Sequence, residues 1–510
     1  MTKPYLIGID QGTSGSRALV IDREGGVRGY AYRPLARLYP SPDRVEQDPL
    51  AVAEGVAAVV AEALADAGAR PDEVAACGIA SQRNTDFAWD AGDGRPVANA
   101  ITWQDLRTLP ILAELKEWPA AAEARHRLGY APGPYMTGLH LAWRLRHDPD
   151  IIAAARENRL LLGLSAAWLL VALGRAAGHR MDTSLVQAMG LYDFRAGEYW
   201  TEWLDRLGVP RAALPEATPT IAEFGELRLN AGGGGATVPV LAMIGDQQGA
   251  LFGHGCRAPG AAECTQGTAT FVKVFMGREA PPQEIIDVFY AWDTGAGQTY
   301  CLEAPTTVIG AAIRWMRDSA RLIDEYHELD DLAGAVADSG EVVFVPAFTG
   351  LNAPYGDPQA RGTLLGLTLG THRGHIVRAF LESLGYQIRA ILETIARDTG
   401  QRVDELLVGG GVTASDVACQ IQADLTGIPV ARPTFTETTA FAAALLAGRG
   451  AGFWPSDASL PPPPGGRTVF EPHTSRERRD EGFARWQAAV ALVRQWGQQE
   501  AGERLPAADR

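Results

Sequence analysis

The sequence predicts a mixed α/β protein built on a duplicated core. Strand and helix patterns alternate along the chain: residues 1–30 are strand-rich, 48–68 carry a helical pattern and 74–90 return to strand. A turn with glycines and hydroxyls near the N-terminus also has a near-copy beyond residue 260. Two similar hairpins in one chain indicate an internal repeat.

The first hairpin has the composition of a phosphate-binding turn. Tyr5–Ile9 and Ala18–Ile21 are apolar runs typical of short buried strands, and Gly12 and Gly15 let the backbone of the turn approach an anion. Asp10 ends the first strand and can hold a hydrated Mg²⁺, while hydroxyls and N–H groups cradle phosphate. The alternative is an ordinary hairpin with a polar turn, because short glycine motifs also occur without a ligand. The candidate phosphate ligands here are Thr13 and Ser14.

The second hairpin places Thr265–Thr270 before the apolar run Phe271–Phe275. Better-known nucleotide motifs do not explain it. None of the three lysines follows a glycine in a Gly-Lys-Ser/Thr context, which excludes a P-loop. The segment Gly253–Ala258 resembles a dinucleotide fingerprint but runs into Pro259 and Gly260 rather than into a helix, so a dehydrogenase is disfavoured.

Composition narrows the class of protein. A chain of 510 residues with 46% hydrophobic and 21% charged residues is long enough for two or more domains. Its net charge of -15 argues against nucleic acid or an anionic membrane as a partner. The five cysteines form no Cys-x-x-Cys pair, and the longest apolar run, Leu160–Leu173, is too short to span a bilayer and predicts a buried helix. We therefore expect a cytoplasmic protein without an export signal.

The remaining segments suggest three regions: 1–253, 254–455 and a tail over 456–510. The segment 225–242, with its run of four glycines, predicts a flexible turn before a strand at Val238–Ile244. The tail begins with the stiff spacer Pro461–Pro464 and predicts an amphipathic helix packed on the surface. In the second half the predicted elements are the strands Val342–Pro346 and Glu405–Val408 and the helices Gly374–Asp398 and Ser415–Thr426.

Three polar clusters follow predicted strands, where open α/β sheets usually bind ligands. They are residues 81–85 with 103–105, residues 245–248 and residues 409–411. Asp246 has no obvious structural partner in the sequence and is a candidate general base. Arg83 can donate hydrogen bonds to a ligand hydroxyl or form an interdomain ion pair. Trp103 can pack against the carbon side of a polyol or be buried in the core.

Several motifs in order resemble the FGGY family of carbohydrate kinases, and within it the members that phosphorylate glycerol. The resemblance runs from residue 5 to about 455. The motifs are Asp10-Gln11-Gly12-Thr13, residues 45–49, Gln82-Arg83, residues 99–105, Gly245-Asp246-Gln247-Gln248, residues 346–351 with 353–355, and Ala360-Arg361-Gly362.

The resemblance implies two actin-like, ribonuclease-H-like domains with a cleft between them. It also implies ATP-dependent, Mg²⁺-dependent phosphorylation of a terminal hydroxyl, most simply of glycerol to glycerol 3-phosphate, with Asp246 as base and Asp10 at the metal. The implied polyol residues are Arg83, Asn84, Trp103, Tyr135, Asp246, Gln247 and Phe271. The implied nucleotide residues are Thr13, Ser14, Arg17, Gly267, Thr268, Gly310, Gly410, Gly411 and Ser415.

The chain departs from the family pattern at Asn84, where a glutamate is expected, and at His140, where a lysine is expected. Another short polyol or a ketopentose is therefore an alternative substrate. A non-catalytic sugar-sensing protein is an alternative of another class, and the combination of a metal ligand with a base favours the enzyme. We expect a homo-oligomer, either a dimer or a tetramer, that binds a small polyol or sugar and ATP, without nucleic acid or membrane insertion.

Overall fold

A computed structural model describes residues 3–231, 234–267, 270–282, 285–306 and 309–503. Within these residues two seven-stranded mixed sheets form the frame of the molecule, one from each half of the chain. In spatial order, the strands of the first sheet are Gly174–Ala176, Ile221–Ala231, Gly234–Gly245, Val74–Ser81, Tyr5–Gln11, Gly15–Ile21 and Val27–Pro34. Those of the second are Asp287–Tyr290, Tyr300–Pro305, Thr270–Gly277, Ala262–Gln266, Leu406–Gly409, Val430–Pro433 and Arg467–Phe470.

The first sheet is built around the predicted N-terminal hairpin. Tyr5–Gln11 pairs antiparallel with Gly15–Ile21 and parallel with Val74–Ser81, which runs parallel to Gly234–Gly245. The first strand is buried along almost its whole length, as an apolar run in a mixed sheet covered on both faces requires. The hairpin predicted from the two apolar runs is confirmed.

The second sheet repeats this arrangement. Ala262–Gln266 pairs antiparallel with Thr270–Gly277 and parallel with Leu406–Gly409, which runs parallel to Val430–Pro433. Each sheet therefore has an antiparallel hairpin whose first strand is extended by two parallel strands from later in the chain. The predicted duplication of the core is confirmed.

One helix of the second half packs on the first sheet. Helix Thr438–Gly450 lies across the strands that contain Gly8 and Gly78. A Cβ atom on Gly8 would lie 1.8 Å from the carbonyl oxygen of Ala440, and one on Gly78 would lie 2.0 Å from that of Ala443. Glycine is required at both positions because the helix backbone rests directly on the sheet. This contact joins the two halves below the cleft.

The other elements cover the sheets and build smaller layers at their edges. The α-helices are Pro49–Asp66, Leu109–Lys116, Ala121–Leu128, Thr137–His147, Pro149–Arg156, Ser165–Leu173, Thr183–Ala188, Thr201–Leu207, Asp246–Gly253, Ile309–Asp318, Glu328–Gly334, Arg373–Thr399, Asp416–Thr426, Thr438–Gly450 and Arg476–Glu503. The strands outside the two large sheets are Leu38–Ser41, Arg44–Gln47, Phe87–Asp90, Ala100–Ile101, Leu160–Gly163, Arg180–Asp182, Tyr192–Asp193, Glu198–Tyr199, Glu216–Thr218, Val343–Val345 and Thr363–Leu365. In the described ranges, none of the helices combines the length and the hydropathy of a membrane-spanning segment.

Two sequence predictions are wrong in detail. The apolar run 160–173 is not one helix: Leu160–Gly163 forms a strand against Phe87–Asp90, and the helix begins at Ser165. The segment predicted as a flexible turn holds most of a long antiparallel pair, Ile221–Ala231 with Gly234–Gly245, and Gly232 and Gly233 lie outside the described residues. In both cases the pairing partner decides the conformation, and it lies outside the local sequence window.

The tail is more closely integrated than a surface helix. Strand Arg467–Phe470 pairs with Val430–Pro433 and closes one edge of the second sheet. The following helix buries Phe483, Trp486 and Val490 in a separate apolar cluster. The tail therefore completes the second half of the fold.

Candidate active site

The candidate site lies where the carboxyl ends of the parallel strands in the first sheet meet. Gln11 and Gly245 both pair in register with Ser81 of the middle strand. The residues just beyond these ends, among them Arg83 and Asp246, therefore come to one edge of the sheet. A cavity of about 780 Å³ opens at this edge and is lined by residues of both halves of the chain.

All the residues predicted to hold the polyol line this cavity. They come from five separate stretches of sequence, and Phe271 belongs to the second sheet. The fold therefore brings the predicted set together, while the role of each side chain stays a prediction. The lining members of the set are Arg83, Asn84, Trp103, Tyr135, Asp246, Gln247 and Phe271.

Arg83 connects the two halves of the protein. Its Nη2 atom donates to both carboxylate oxygens of Glu303, at 2.7 and 2.9 Å, and its Nε atom lies 3.8 Å from Oδ1 of Asp246. Burial acts against the charge on the guanidinium, but Glu303 and Asp246 outweigh it and raise the pKa of Arg83. Its Nη1 atom is buried and has no hydrogen-bond partner among the described residues. Arg83 therefore keeps an unused donor beside the cavity.

Asp246 begins the helix Asp246–Gly253 directly after the strand that ends at Gly245. Burial raises the pKa of its carboxyl group, and the cations Arg83 and Lys273 oppose this shift. Oδ1 accepts from the backbone N–H of Gln247 at 2.8 Å. A carboxylate with a raised pKa at a cavity wall is suited to accept a proton.

A buried network fixes the strand end that carries Asp246. The backbone N–H of Gly245 donates to Oγ of Ser184 at 3.0 Å, and the Ser184 hydroxyl donates to Asp182. The other carboxylate oxygen of Asp182 accepts from Thr220 at 2.7 Å. This support was not predicted from the sequence, since Asp182 and Ser184 lie about 40 and 60 residues before Thr220 and Gly245 and only Asp182 is charged.

Asn84 has an unusual backbone conformation. Its φ of 56° is in the left-handed region, which asparagine tolerates better than most residues other than glycine. Its Oδ1 atom is buried and lacks a hydrogen-bond partner in the described part of the chain. His140, the other departure from the family pattern, is fully buried, and burial lowers the pKa of its imidazole to about 4. It therefore does not supply the charge of the expected lysine.

Hydrogen bonds join the first phosphate turn to the cavity wall. The Thr13 hydroxyl donates to Oε1 of Gln82 at 2.9 Å and accepts from Nε1 of Trp103 at 2.9 Å. Gln82 is held in turn by Gln47, whose Oε1 atom accepts from it at 2.8 Å. Trp103 is 40% exposed, so it belongs to the cavity wall and not to the core. Ser14 is exposed at the tip of the turn.

Asp10 lies beside the turn and is enclosed by charged neighbours. Nη1 of Arg17 lies 3.3 Å from Oδ2 of Asp10, and Nε of Arg17 lies 3.2 Å from Glu437, which precedes helix Thr438–Gly450. Burial raises the pKa of Asp10 to about 7, against the lowering effect of Arg17. A further positive charge beside Asp10 would stabilise the ionised form of its carboxyl group.

The second phosphate turn meets another pair of strand ends. Thr265 pairs with Gly409 on the neighbouring parallel strand, so Gly267 and Gly410 follow adjacent strand ends. Gly410 has a φ of 100°, and a Cβ atom there would lie 2.3 Å from the carbonyl oxygen of Gln266. Glycine is therefore required at position 410, because the two turns pack backbone against backbone. Thr268 lies outside the described residues.

The other predicted nucleotide residues occupy helix starts. Gly411 begins a short 3₁₀ turn, and Gly310 is the second residue of helix Ile309–Asp318. Ser415 caps helix Asp416–Thr426: its hydroxyl accepts from the N–H of Ala418 and donates to Asp330. That hydroxyl is therefore engaged within the protein, and any nucleotide contact of Ser415 stays a prediction.

A row of charged residues on the second sheet was not predicted. Glu263, Lys273, Glu303 and Asp287 occupy directly opposed positions on four neighbouring strands. Glu303 and Asp287 line the cavity, and each meets a cation from the first half: Arg83 at 2.7 Å for Glu303, and Arg125 at 2.6 Å for Asp287. The row becomes visible only when the strands are paired. Further cavity residues that the sequence did not predict are Tyr130, Ile285, Phe289 and Asn352, and Gln82 and Thr265 of the predicted motifs line the cavity as well.

Comparison with known proteins places this site in a family. The chain is 40% identical to the glycerol kinase of Symbiobacterium thermophilum over 97% of its own length and 99% of that protein, and 41% identical to the glycerol kinase of Methylibium petroleiphilum over 95% and 98%. Among solved structures, it resembles Plasmodium falciparum glycerol kinase with ADP (TM-score 0.88, 24% identity, covering 96% and 98% of the two chains) and a xylulose kinase from Brucella ovis (TM-score 0.84, 25% identity, covering 96% and 99%). Residues 5–253 match the N-terminal domain of the FGGY family of carbohydrate kinases, and residues 262–451 match its C-terminal domain. This chain is a member of the FGGY family of carbohydrate kinases.

Proposed function

We propose that this enzyme transfers the γ-phosphoryl group of ATP to a terminal hydroxyl of glycerol, giving glycerol 3-phosphate. The observation that carries the proposal is the cavity in which Asp246, Arg83 and Gln247 converge beside the first phosphate turn. Relatives named glycerol kinase, at about 40% identity over nearly the whole chain, support glycerol as the acceptor.

The geometry supports a direct in-line transfer. Asp246 takes the hydroxyl proton as the hydroxyl oxygen forms a bond to the γ-phosphorus, and the bond from that phosphorus to the β–γ bridging oxygen breaks to release ADP. Nη1 of Arg83 and the amide of Gln247 hold the polyol oxygens. Trp103 and Phe271 cover its carbon face. Holding both reactants in line contributes much of the rate, because phosphoryl transfer needs little covalent help from the protein.

The residues near Asp10 fit a magnesium ion. Oδ2 of Asp10 contacts Arg17, while Oδ1 makes no hydrogen bond within the described residues and stays accessible. Throughout those residues, no group of three or more His, Cys, Asp or Glu side chains has metal-binding spacing. We infer that Asp10 would hold Mg²⁺ together with waters and phosphate oxygens, the usual arrangement for this ion. When bound, Mg²⁺ offsets the negative charge of the β- and γ-phosphates.

A longer polyol or a ketopentose is the second candidate. One observation favours it: Asn84, which lines the cavity, presents an amide where a carboxylate is expected. An amide can donate to a sugar carbonyl, which a carboxylate cannot.

A coupled ADP-release assay tests both candidates. Purified enzyme is supplied with Mg·ATP and, in separate reactions, with glycerol, C4–C5 polyols and ketopentoses, and Asp246→Asn serves as the matched inactive control. We expect the highest kcat/KM with glycerol. ADP release that does not depend on any acceptor, or that persists in the control, would contradict the proposal. The expected dimer or tetramer stays a prediction, which light scattering would measure.

A further inference from the structure

Lys273 is a fully buried cation next to the polyol cavity. Its side chain is 1% exposed on strand Thr270–Gly277, and it is one of three lysines in the chain. Buried lysines are rare unless they are paired. Nζ contacts Glu263, which is itself fully buried, and donates to Oε1 of Gln247 at 2.6 Å. Gln247 belongs to the first half of the chain, so this bond crosses the cleft.

The bond to Lys273 determines which end of the Gln247 amide faces the cavity. An ammonium group has three donors and no acceptor, so the amide atom it contacts must be the oxygen. The Nε2 group of Gln247 then remains for the cavity wall, where it has no partner among the described residues. We propose that Lys273 is a positioning residue that makes Gln247 a fixed hydrogen-bond donor to an acceptor oxygen of the substrate.

Glu263 makes this arrangement possible. It lies directly opposite Lys273 on the neighbouring strand and compensates the buried charge. Glu263 also accepts from the hydroxyl of Thr265 at 3.0 Å, and Thr265 lines the cavity. The same buried pair therefore orients two polar groups of the wall, one from each half of the chain.

The charged row on the second sheet holds two residues of the first half, Arg83 through Glu303 and Gln247 through Lys273. Glu303, on the other side of Lys273 in the charged row, pairs with Arg83. Arg83 and Gln247 are thus both held by the second sheet with a donor left for the cavity, while Asp246 supplies an acceptor. Without Lys273 the Gln247 amide could rotate and present its oxygen instead. The pocket would then lose a donor and gain a second acceptor at that point.

This inference rests on the proposed function, because it specifies how the same cavity recognises its acceptor. The first test is Glu263→Gln/Lys273→Met, which removes both charges and leaves no uncompensated carboxylate. Loss of one oriented neutral hydrogen bond should raise the KM for glycerol about 3- to 10-fold. The KM for ATP should change less than 2-fold, and kcat should be compared on its high-pH plateau, because Lys273 also lowers the pKa of Asp246. A variant that melts earlier but keeps the KM for glycerol would show that the pair is merely structural and would overturn the inference.

A second variant tests the orientation without disturbing the buried pair. Gln247→Glu keeps an acceptor for Lys273 but turns an oxygen toward the cavity in place of the donor. We expect wild-type or higher thermal stability and roughly 3- to 10-fold weaker glycerol binding, because the cavity loses the same donor. Unchanged affinity would mean that the oxygen already faces the substrate, and the inference would be wrong.

Calorimetry without ATP separates the inference from the proposed function. If the unmodified enzyme binds glycerol but does not phosphorylate it, the proposed function fails, and the binding constants of the two variants still decide the role of Lys273. If the unmodified enzyme binds none of the screened polyols or sugars, both statements are refuted.

Discussion

Replacing Asn84 with glutamate should strengthen glycerol binding and weaken the fold, and the two effects can be measured separately. Oδ1 of Asn84 is buried without a partner among the described residues, so this position can accept from a ligand hydroxyl. A neutral hydrogen bond contributes about 0.5–1.5 kcal/mol and one to a carboxylate about 1.5–3 kcal/mol. The difference of about 1 kcal/mol corresponds to a roughly five-fold lower KM for glycerol.

The cost of Asn84→Glu appears in folding. The φ of 56° at this residue disfavours side chains other than those of glycine, asparagine and aspartate by about 1–2 kcal/mol. This strain is present with or without substrate, so it lowers the free energy of unfolding and leaves the binding energy unaffected. We expect a lower melting temperature together with a lower KM.

Asn84→Gln is the matched control, since it carries the same strain and length as the glutamate without its charge. KM for glycerol at saturating ATP and thermal melts are measured for all three proteins. Both variants should melt earlier by a similar amount, and the glutamate variant should show the lower KM. A glutamate variant no better on glycerol than the glutamine variant would refute the reasoning. If it also lost activity on a longer polyol or a sugar, Asn84 would be matched to that substrate.

Four further predictions address the base, the metal side, the pH dependence of stability and the contact between the halves. Asp246→Asn should keep ATP and polyol binding and lower kcat by about 10²–10⁴, and near-normal turnover would exclude Asp246 as the base. Asp10→Ala and Thr13→Val should raise the KM for Mg·ATP, with calorimetric polyol binding to the nucleotide-free protein nearly unchanged. Burial raises the pKa of Asp10 to about 7, so the stability that its protonated carboxyl contributes is present below about pH 4 and is lost as the pH rises through 7. The melting temperature of Asp10→Asn should therefore be higher than that of the unmodified protein at pH 8 and not at pH 4. Gly78→Ala should lower the free energy of unfolding by about 1–3 kcal/mol in denaturant titrations, whereas Gly466→Ala, which has open space around it, should not.

The parts of the fold that depend on local patterns could be predicted from the sequence. Helix Pro49–Asp66 and the N-terminal hairpin lie where the sequence predicts them, because apolar spacing and turn residues act over a few positions. The strand Ile221–Ala231 could not be predicted in this way. Its register with Gly234–Gly245 depends on a pairing partner beyond the glycine run. A short apolar run such as 160–163 likewise suits a strand or a helix equally well.

The candidate site shows the same division. Asp246 and Arg83 were predictable because each follows a buried strand within a motif. Lys273 and Glu303 are 30 residues apart, and only the pairing of their strands makes them neighbours. No spacing rule connects a buried lysine on one sheet to Gln247, in the helix that follows a strand of the other sheet. Sequence motifs therefore identified the groups expected to touch the substrate, and the groups that orient them required the structure.

The two halves share one strand topology but carry different residues at the ends of their parallel strands. Of the three parallel strands in the first sheet, the first ends beside Asp10 and the third leads into Asp246, whereas the first and second of the matching strands in the second sheet lead into Gly267 and Gly410. Phosphoryl transfer as proposed needs one base and one carboxylate at the metal, and the nucleotide side benefits from bare N–H groups without a competing charge. If the proposed roles hold, a few different residues at the strand ends of two matching sheets would make one half a polyol site and the other a nucleotide site.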